Sequence, residues 1–499
     1  MTPGVADSAF TRKPATPAAI ADLCRMLHVA PLQGTVTGVT LSSSAVMSGD
    51  LYAALPGART HGARFAADAC HRGAAAILTD PAGAASLKDP GVPVIVVADP
   101  RAVLGVVAAT IYGHPAADLR TLAVTGTNGK TTVTYMLRAA LQSLGVTTGM
   151  IGTTGTWVGS TRVPTVRTTP EAPDVQALMA TMVAQGVQTL AMEVSSHALV
   201  LGRVDGFAFD VAAFTNLSPD HLDFHQNMED YFAAKASLFT QEHARTAVIN
   251  TDDSWGRRLA AQVALPSRTY SLSGPADLTA KDVRCEATGS EFTVVCGGLE
   301  LPARISAPGL FNVANALGAL GMLQSSGVPL AEAVAALTAF DGVPGRMQVV
   351  PGEIAVIVDY AHTPDAVQGA LDAVRPLTQG RIWCVLGCGG DRDVAKRPDM
   401  GRIAAGRSDE LIVTDDNPRS EVPAAIRAAV LAGAHTVPGA HVREIGDRGQ
   451  AITTAIKGAQ PGDTVMILGK GHETGQEIQG VNHPFDDRVV AQLALEERP

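Results

Sequence analysis

Val124-Thr125-Gly126-Thr127-Asn128-Gly129-Lys130-Thr131-Thr132 is the stretch of sequence that decides the fold. A short apolar run, Leu122 to Val124, precedes it, and a helical pattern over Val133 to Leu144 follows. These patterns predict a strand, a glycine-rich turn and a helix, the arrangement that holds the phosphates of a nucleotide. Backbone N–H groups at the helix N-terminus and the lysine neutralise phosphate, and the hydroxyl after the lysine binds Mg²⁺. The stretch therefore predicts an ATP site.

The loop is shorter than the usual phosphate loop, which has four residues between its glycines. Here only Thr127 and Asn128 lie between Gly126 and Gly129. A solvated turn before a helix would explain the glycines, but not their combination with an apolar strand, a Gly-Lys-Thr core and a following helix. We therefore interpret the stretch as an ATP site of a variant kind.

Composition bounds the class of protein. At 499 residues, with 46% hydrophobic and 17% charged, the chain is globular and too long for one hydrophobic core, so two or three domains are expected. A net charge of −10 and only 4% aromatic residues argue against binding to nucleic acid or anionic membranes. The six cysteines lack paired spacing, no basic-then-apolar leader opens the chain, and no apolar run approaches membrane-spanning length. We expect a soluble, cytoplasmic protein.

Strands that are apolar along their whole length alternate with helical patterns through most of the chain. Such strands are typical of a parallel sheet covered on both faces, so the sequence predicts an α/β fold. The expected strands include 92–97, 189–192, 209–214 and 246–250, with a more β-like stretch over 268–307. A turn-rich segment, Gly342-Val343-Pro344-Gly345, precedes fresh strand–helix units and predicts a domain boundary.

Four strands after this boundary each end in a polar loop. The loops are Asp359–His362, Gly387–Asp393, Asp415–Arg419 and Gly469–Glu473. Because ligands of open α/β sheets bind outside the carboxyl ends of the strands, four such loops in one domain predict a site. In Asp416-Asn417-Pro418-Arg419, an acid and an amide suit an ammonium group and the guanidinium suits a carboxylate, which predicts a bound zwitterion. Asp416 and Asn417 alone would also fit an Asx turn before the helix near Pro423.

Local sequence says more about Glu193 than about Lys235. Glu193 ends a predicted strand beside the phosphate loop, where a carboxylate completes Mg²⁺ coordination. A strand-end glutamate is usually a solvated acid, but the Val194-Ser195-Ser196-His197 that follows favours the functional interpretation. Lys235 lies in a helical stretch, Tyr231 to Ala236, and from local sequence alone it is expected to be solvent-exposed.

Six runs that span nearly the whole chain resemble the Mur ligases, the ATP-dependent enzymes that extend the peptide of the cell-wall precursor. The runs are Thr125–Thr132, Met192–His197, Asn216–His221, Asn312–Asn315, Gly345–Met347 and Asp359–His362. They stand in the family's order, and the shortened phosphate loop is the family's own form. Within the family, Asp416-Asn417-Pro418-Arg419 is similar to the signature of the members that add meso-diaminopimelate.

The resemblance implies three domains. They are a small N-terminal α/β domain for the uridine nucleotide over residues 1–105, a central P-loop ATPase domain with a mainly parallel sheet over 106–345, and a C-terminal Rossmann-like domain for the amino acid over 346–499. It also implies that Lys235 is carbamylated to N6-carboxylysine, since its position matches the family's carbamylated lysine. A carbamate is an oxygen ligand that suits a second Mg²⁺ in a phosphate-rich site, and Thr131 and Glu193 are the other metal ligands that the resemblance implies.

The resemblance further assigns the remaining site residues by matching positions. Lys130, Glu193, Lys235 and His221, with Asp220 beside it, are expected at the reacting phosphates. ATP contacts beyond the loop are expected from Asn315, Arg346, Asp359 and His362. Contacts to the sugar–peptide substrate are expected from Thr168, Thr169, Ser195 and Arg203, and to its uridine end from Leu41 and Ser43, with Ala58, Arg59 and Thr60 close by. Amino-acid contacts are expected from Arg392, Asp416, Asn417, Pro418, Arg419, Gly469 and Glu473. Ser42-Ser43-Ser44 and Leu201 depart from the family pattern, which weakens the uridine and peptide assignments.

The activity that this resemblance implies is amide-bond formation through an acyl phosphate. The γ-carboxylate of D-glutamate in UDP-N-acetylmuramoyl-L-alanyl-D-glutamate would be phosphorylated by ATP and then attacked by the diaminopimelate amine, giving a peptidoglycan precursor. A lysine-adding ligase and a ligase similar to folylpolyglutamate synthase are alternatives within the class. A regulatory nucleotide-binding switch is the alternative from another class. We expect a monomer with small-molecule substrates.

Overall fold

In the described part of the chain, apolar strands joined by helices build three large sheets, and two further pairs of strands stand apart from them. The computed structural model describes residues 15–57, 60–163, 165, 167–286 and 289–498. The predicted α/β class with mainly parallel strands is confirmed. The ranges 1–105, 106–345 and 346–499 stay a prediction for the domains, and one helix, 100–111, runs through the first of these limits. None of the helices in the described ranges combines the length and the apolar character needed to cross a membrane.

The N-terminal elements form a four-stranded parallel sheet. In chain order they are β1 Ala18–Ala19, α1 Ile20–Met26, β2 Thr35–Val36, β3 Gly38–Thr40, β4 Asp50–Ala53, α2 Ala66–His71, β5 Ala76–Thr79, α3 Pro81–Ser86, β6 Val94–Val96 and α4 Pro100–Ile111. The sheet order is β3-β4-β5-β6, and β1 pairs with β2 apart from it. Asp99 caps α4 by accepting from the N–H of Arg101 at 2.9 Å. Leu104 and Val107 of α4 pack in the same buried cluster as Leu51 and Leu78 of the sheet, so α4 belongs to this core.

The central elements form an eleven-stranded sheet. In chain order they are β7 Arg120–Thr125, α5 Lys130–Ser143, β8 Thr148–Gly152, β9 Gly155–Val158, β10 Thr161–Val163, α6 Ala172–Ala184, β11 Thr189–Glu193, α7 Ser196–Val200, β12 Phe209–Phe214, α8 Met228–Ala236, β13 Ala244–Asn250, α9 Ser254–Gln262, β14 Ser267–Ser271, β15 Leu278–Glu286, β16 Gly289–Cys296, β17 Leu299–Ile305, α10 Leu310–Ser325 and α11 Leu330–Leu337. The strand order is β10-β9-β8-β11-β7-β12-β13-β14-β15-β16-β17, with parallel pairs from β8 to β15 and antiparallel pairs at both ends.

The strand before the phosphate loop lies inside this sheet. β7 is hydrogen-bonded to β11 on one side and to β12 on the other, and Leu122, Ala123 and Val124 have no exposed surface. Burial on both faces is what an uninterrupted apolar strand predicts. Helix α5 begins at Lys130, three residues before the predicted start, so the Lys-Thr-Thr of the loop forms its first turn.

The C-terminal elements form a six-stranded sheet. In chain order they are β18 Gln348–Val350, β19 Ala355–Asp359, α12 Pro364–Val374, β20 Ile382–Cys388, α13 Lys396–Arg407, β21 Glu410–Asp415, α14 Pro423–Ala434, β22 Val442–Glu444, α15 Arg448–Gly458, β23 Thr464–Leu468, β24 Gly475–Ile478, β25 Val481–Pro484 and α16 Asp487–Glu496. The order is β18-β19-β23-β20-β21-β22, parallel except for β18, while β24 and β25 form a separate hairpin. Because β19, β23, β20 and β21 are neighbours, the four predicted polar loops lie side by side at one edge.

A buried arginine fixes two of these strand ends. Arg448 donates to the carbonyl oxygen of Leu468 at 3.0 Å, where β23 ends, and to that of Asp415 at 3.4 Å, where β21 ends. Its charge is paired with Asp487 at 2.7 Å, and neither side chain is exposed. The pair therefore holds the two loops that follow these strands at a set distance from each other.

Candidate active site

The phosphate loop is held in shape by the residues that follow β12. Gly126 has a φ of +146°, and a Cβ there would collide with the hydroxyl of Thr215, so the position requires glycine. Thr215 donates its hydroxyl to the carbonyl oxygen of Asn128 at 2.6 Å, and the N–H of Asn128 donates to Asn216 Oδ1 at 2.9 Å. The loop is therefore pre-shaped by side chains from the neighbouring strand.

Two lysine side chains meet at one carbonyl oxygen of this loop. Lys130 Nζ and Lys235 Nζ each donate to the carbonyl oxygen of Gly126 at 2.8 Å. Burial lowers the pKa of Lys130, and burial and then the charge of Lys130 lower the pKa of Lys235 well below its usual value. The expectation from local sequence that Lys235 is exposed is wrong, since only 1% of it is accessible. It shares a helix face with buried Tyr231, four residues earlier, and lies over that ring.

Glu193 lies beside the phosphate loop, as the sequence predicts. β11 ends at Glu193 next to Val124, and the side chain is fully buried. Its Oε2 accepts from the hydroxyls of Thr131 at 3.0 Å and Thr153 at 2.9 Å, while its Oε1 accepts from the N–H of Thr153 at 2.9 Å. Sequence reasoning missed Thr153, although it directly follows β8, the strand next to β11.

This donor set fits Mg²⁺. One carboxylate and one hydroxyl beside a phosphate loop match a cation that takes its other ligands from substrate phosphates and water. Among the described residues, no group of three or more His, Cys, Asp or Glu side chains is arranged to hold a metal ion. Thr131 and Glu193 are therefore the first candidates for a shared phosphate–magnesium site.

Histidines and charged groups from two domains surround the loop. His221, at a φ of +55°, lies edge-on to His197 with ring centres 5.0 Å apart, and its N–H donates to Asp220 at 2.9 Å. Lys396, the first residue of α13, lies 3.8 Å from the same Asp220 carboxylate across the domain boundary. Burial lowers the pKa of His221 and of His362 to about 4. Both rings are therefore neutral at pH 7.

Acidification is expected to destabilise this region. Burial lowers the pKa of His221, His362 and His472 to about 4 in the folded protein, against about 6.5 in an unfolded chain. Between these values the unfolded chain binds more protons, so the free energy of unfolding falls as the pH falls from 7 towards 4. We expect the melting temperature to drop from pH 7 to pH 5, and His362→Asn to reduce that drop. Thermal melts of the wild type, His362→Asn and the control His435→Asn, at an exposed histidine, test this expectation. A melting temperature that rises on acidification would contradict it.

A cavity of about 480 Å³ separates the central and C-terminal domains. Residues expected to contact ATP line it from both sides, namely Asn128, Gly129, Thr132, Asn315, Arg346, Asp359 and His362. The guanidinium of Arg346 stacks over the Tyr360 ring at 4.3 Å. Asp359 accepts from the N–H groups of Met347 and Ala361, both at 2.7 Å, and thereby holds the interdomain segment. The cavity begins at the phosphate loop and has a size suited to a nucleotide.

The loops expected to hold the amino acid form one cluster. Asn417 Nδ2 donates to Glu473 Oε2 at 2.7 Å, and Gly469, with a φ of +116°, lies against the Asp416 carboxylate. Arg419 Nη1 donates to the carbonyl oxygen of Gly390 at 2.6 Å in the neighbouring loop. Pro418 also packs against Gly390, and exposed Arg392 lies two residues beyond it.

Sequence reasoning missed two charged residues in this cluster. Glu477 on β24 lies 3.3 Å from Arg419 Nε, and its carbonyl oxygen accepts from the N–H of Arg419 at 2.9 Å. Lys470 is completely buried and contacts both Asn417 and Glu473. Lys470 falls inside a loop that the sequence singled out, whereas nothing local marks Glu477, because its hairpin reaches Arg419 only in the folded chain.

A second cavity of about 430 Å³ lies between the N-terminal and central domains. Leu41 lines it as expected, whereas at the next positions Ser42 faces it and Ser43 instead hydrogen-bonds to Asp68. Thr60 is exposed, and Ala58 and Arg59 lie outside the described residues. From this cavity a chain of contacts leads inward: Glu171 pairs with Arg203 at 2.9 Å.

The expected peptide-contact residues continue this chain to Glu193. Arg203 donates to the carbonyl oxygen of Thr169 at 3.2 Å, and the Thr169 hydroxyl donates to the carbonyl oxygen of Glu193 at 2.9 Å. The N–H of Ser195 donates to Thr169 at 3.1 Å, and Thr168 contacts Thr153 at 3.1 Å. The structure thus brings Thr168, Thr169, Ser195 and Arg203 together between the second cavity and the phosphate loop.

A phosphate loop that faces a second α/β domain across a nucleotide-sized cavity is the arrangement expected of an ATP-dependent ligase. Comparison with family models gives the same result: "Mur ligase family, catalytic domain" matches residues 35–112, "Mur ligase middle domain" matches 124–323, and "Mur ligase, glutamate ligase domain" matches 345–471. The chain belongs to the Mur ligase family.

Individual relatives match over almost the full length. The UDP-N-acetylmuramoyl-L-alanyl-D-glutamate–2,6-diaminopimelate ligase of Streptomyces coelicolor is 50% identical over 492 residues, which cover 96% of each chain. A solved structure of a ligase with this name is 32% identical, with a TM-score of 0.67 over 96% of this chain and 99% of that one. Folylpolyglutamate synthase of Mycobacterium tuberculosis shares the fold at 18% identity, with a TM-score of 0.60 over 74% of this chain and 92% of that one.

Proposed function

We propose that this protein joins meso-2,6-diaminopimelate to UDP-N-acetylmuramoyl-L-alanyl-D-glutamate with ATP, producing the tripeptide precursor for peptidoglycan synthesis. Relatives that are 50% and 47% identical carry the name of this ligase. The structural observation that carries the proposal is the cluster of Asn417, Arg419 and Glu473. These residues follow strands β21 and β23, at the same edge of the sheet as Asp359, which lines the ATP cavity. A guanidinium and a carboxylate held close together suit a zwitterionic amino acid.

The first step in this proposal is phosphorylation of the acceptor. An oxygen of the D-glutamate γ-carboxylate attacks the γ-phosphorus of ATP, the bond to the bridging oxygen breaks, and ADP leaves with that electron pair. Lys130 Nζ neutralises charge on the transferring phosphoryl group, and the N–H groups of the loop hold its oxygens. In this proposal Thr168, Thr169, Ser195 and Arg203 hold the peptide near Glu193, and Leu41 is the contact assigned to the uridine end.

Thr131, Glu193 and carbamylated Lys235 would hold Mg²⁺ here. Bound Mg²⁺ supplies positive charge that offsets the charge on the phosphate oxygens. Burial favours the neutral amine of Lys235, and a neutral amine is the form that adds to CO₂. Carbamate formation releases a proton to solvent and places a negative charge and two oxygen ligands on Lys235, beside the amine of Lys130.

His221 has an orienting role in this proposal. A ring whose pKa is lowered to about 4 accepts a proton poorly at pH 7, so we assign it to hydrogen bonding and not to general-base catalysis. Asp220 holds the backbone of His221 and contacts Lys396 from the other domain. The remaining ATP contacts come from the two sides of the cavity, namely Asn315, Arg346, Asp359 and His362.

The second step forms the amide bond. The neutral amine of diaminopimelate attacks the acyl carbon, the bond to the phosphate oxygen breaks, and phosphate leaves with the electron pair while the amine loses its proton to solvent. Asp416, Asn417, Pro418, Arg419, Gly469, Glu473 and Arg392 orient the amino acid. Arg419 accounts for the choice of diaminopimelate over lysine, because lysine lacks the carboxylate at its far carbon and would leave the guanidinium without that partner.

Product analysis tests this proposal directly. Wild-type protein is incubated with ATP, Mg²⁺, the nucleotide dipeptide and diaminopimelate, and the products are identified by mass spectrometry. We expect the amide-linked tripeptide together with ADP and phosphate. ADP formation without an amide product would instead favour a nucleotide switch, and an equal yield with lysine would favour a lysine-adding ligase. We also propose that the protein is a monomer of the cytoplasm. Light scattering of the purified protein, which measures its molar mass, tests the monomeric state.

A further inference from the structure

A completely buried lysine lies beneath the amino-acid loops. The Lys470 side chain is 0% exposed, and its Nζ donates to Asn417 Oδ1 at 2.9 Å and to Glu473 Oε2 at 3.1 Å. Removing an ammonium group from water is costly unless it is paired and hydrogen-bonded, and these two oxygens supply both conditions. Lys470 does not line the ATP cavity, so its contacts concern the amino-acid loops.

The contacts of Lys470 leave the Asn417 amide no freedom to turn. Asn417 Oδ1 accepts from Lys470 Nζ and also from the N–H of Glu477 at 3.0 Å, while Asn417 Nδ2 donates to Glu473 Oε2 at 2.7 Å. A carboxamide oxygen has two lone pairs, and both are used here. The Asn417 oxygen is therefore not available to a substrate ammonium group, contrary to the role expected for it from sequence.

Of Asn417 and Glu473, Glu473 keeps an acceptor oxygen that can meet a ligand. Its Oε2 is anchored by two donors, Lys470 Nζ and Asn417 Nδ2, and its side chain is 30% exposed. Two anchors on one oxygen fix the plane of a carboxylate and leave the second oxygen for a further donor. An ammonium group makes a charge-assisted hydrogen bond to such a carboxylate.

We propose that Lys470 is a positioning residue for the incoming amino acid: it locks Asn417 and one oxygen of Glu473, so that Glu473 alone of these two accepts the substrate ammonium. The inference rests on the proposed function, since it requires an amino acid at these loops. It assigns Asn417 to support Glu473 and not to contact the ammonium through its oxygen.

The first test is Lys470→Met, which keeps the length of the side chain and removes its amine. The Asn417–Glu473 and Glu477–Asn417 hydrogen bonds do not involve Lys470, so we expect them to remain in this variant. We expect kcat/KM for diaminopimelate to fall roughly 10- to 100-fold, mainly through KM, as for lost hydrogen bonds to a charged group. The KM for ATP and isotope exchange within ATP in the presence of the dipeptide alone should stay within about twofold. The matched control is Lys457→Met, whose amine also lies 3.1 Å from a glutamate, Glu497, in the same domain.

A double-mutant cycle separates positioning from general stabilisation. If Lys470 acts through Glu473, Lys470→Met adds little to the loss in a Glu473→Gln background. Additive losses in the cycle, or unchanged diaminopimelate kinetics in Lys470→Met, would overturn the inference. The activity of wild-type protein with diaminopimelate separates the two proposals. Its absence refutes the proposed function and, with it, the role of Lys470, whereas its presence with unchanged kinetics in Lys470→Met refutes the role of Lys470 alone.

Asn417→Asp tests the same inference without altering the buried lysine. The new carboxylate still accepts from Lys470 and from the N–H of Glu477, but it repels Glu473 instead of donating to it. We therefore expect a higher KM for diaminopimelate. If residue 417 bound the ammonium directly, a carboxylate would bind it better than an amide, and a lower KM would reject our assignment.

Discussion

Lys130→Met is expected to lower kcat by about 1,000-fold or more, because it removes the charge that neutralises the transferring phosphoryl group. Lys130 is half-buried at the N-terminus of α5, and its amine already points at the loop, towards the carbonyl oxygens of Gly126 and Thr127 at 2.8 and 2.9 Å. Methionine keeps the bulk of the side chain, so the loss reflects charge and not packing. Steady-state phosphate release measures it.

The control for Lys130→Met is Lys281→Met in the same domain. Lys281 is half exposed on β15 and pairs with Glu300 at 2.7 Å, a surface contact of small energetic value. We expect wild-type kinetics from this variant. If Lys130→Met kept more than about a tenth of the wild-type kcat, Lys130 would not neutralise the transferring phosphoryl group as proposed.

Arg419→Ala is expected to lower kcat/KM for diaminopimelate by roughly 100- to 1,000-fold, as when one partner of a desolvated charge pair is removed. Arg419 is held from two sides, through Gly390 at 2.6 Å and Glu477 at 3.3 Å, so its guanidinium is pre-organised for a carboxylate. The KM for ATP should change less than about threefold, because Arg419 does not line the ATP cavity. Initial rates with each substrate varied in turn separate the two effects.

Arg402→Ala is the matched control for Arg419→Ala. Arg402 is an exposed arginine of the same domain that pairs with Asp399 at 3.1 Å on the surface of α13. We expect it to leave both KM values unchanged. Two outcomes would contradict this role of the guanidinium in binding the second carboxylate. One is an equal loss of ATP and diaminopimelate use in Arg419→Ala, and the other is an unchanged preference for diaminopimelate over lysine.

The parts of the fold that sequence predicted are those set by local patterns. The apolar run ending at Val124 gave β7, and the polar loops after β19, β20, β21 and β23 were located because strand ends and loop chemistry are adjacent in sequence. Their assembly into one site follows from the strand order, which pairs β23 with both β19 and β20. Sequence predicted that these loops meet but not which side chains within them touch.

The residues that sequence missed depend on contacts between distant segments. Lys235 was expected to be exposed because its charge outweighs helix periodicity in a local interpretation, although Tyr231 at i−4 is buried on the same face. Thr153 reaches Glu193 from the next strand, and Glu477 reaches Arg419 from a hairpin 58 positions later. The role of Lys470 needed the hydrogen bonds of Asn417, which no spacing in the sequence encodes.

The central claim is that ATP cleavage in the central domain is coupled to an amino acid chosen by the C-terminal domain. Phosphate release by wild-type protein with ATP, Mg²⁺ and the nucleotide dipeptide, measured with diaminopimelate, with lysine and with neither, tests it most directly. The account predicts rapid release that matches amide formation with diaminopimelate, and slow release with lysine or without an amino acid. Release at one rate in all three mixtures would contradict it.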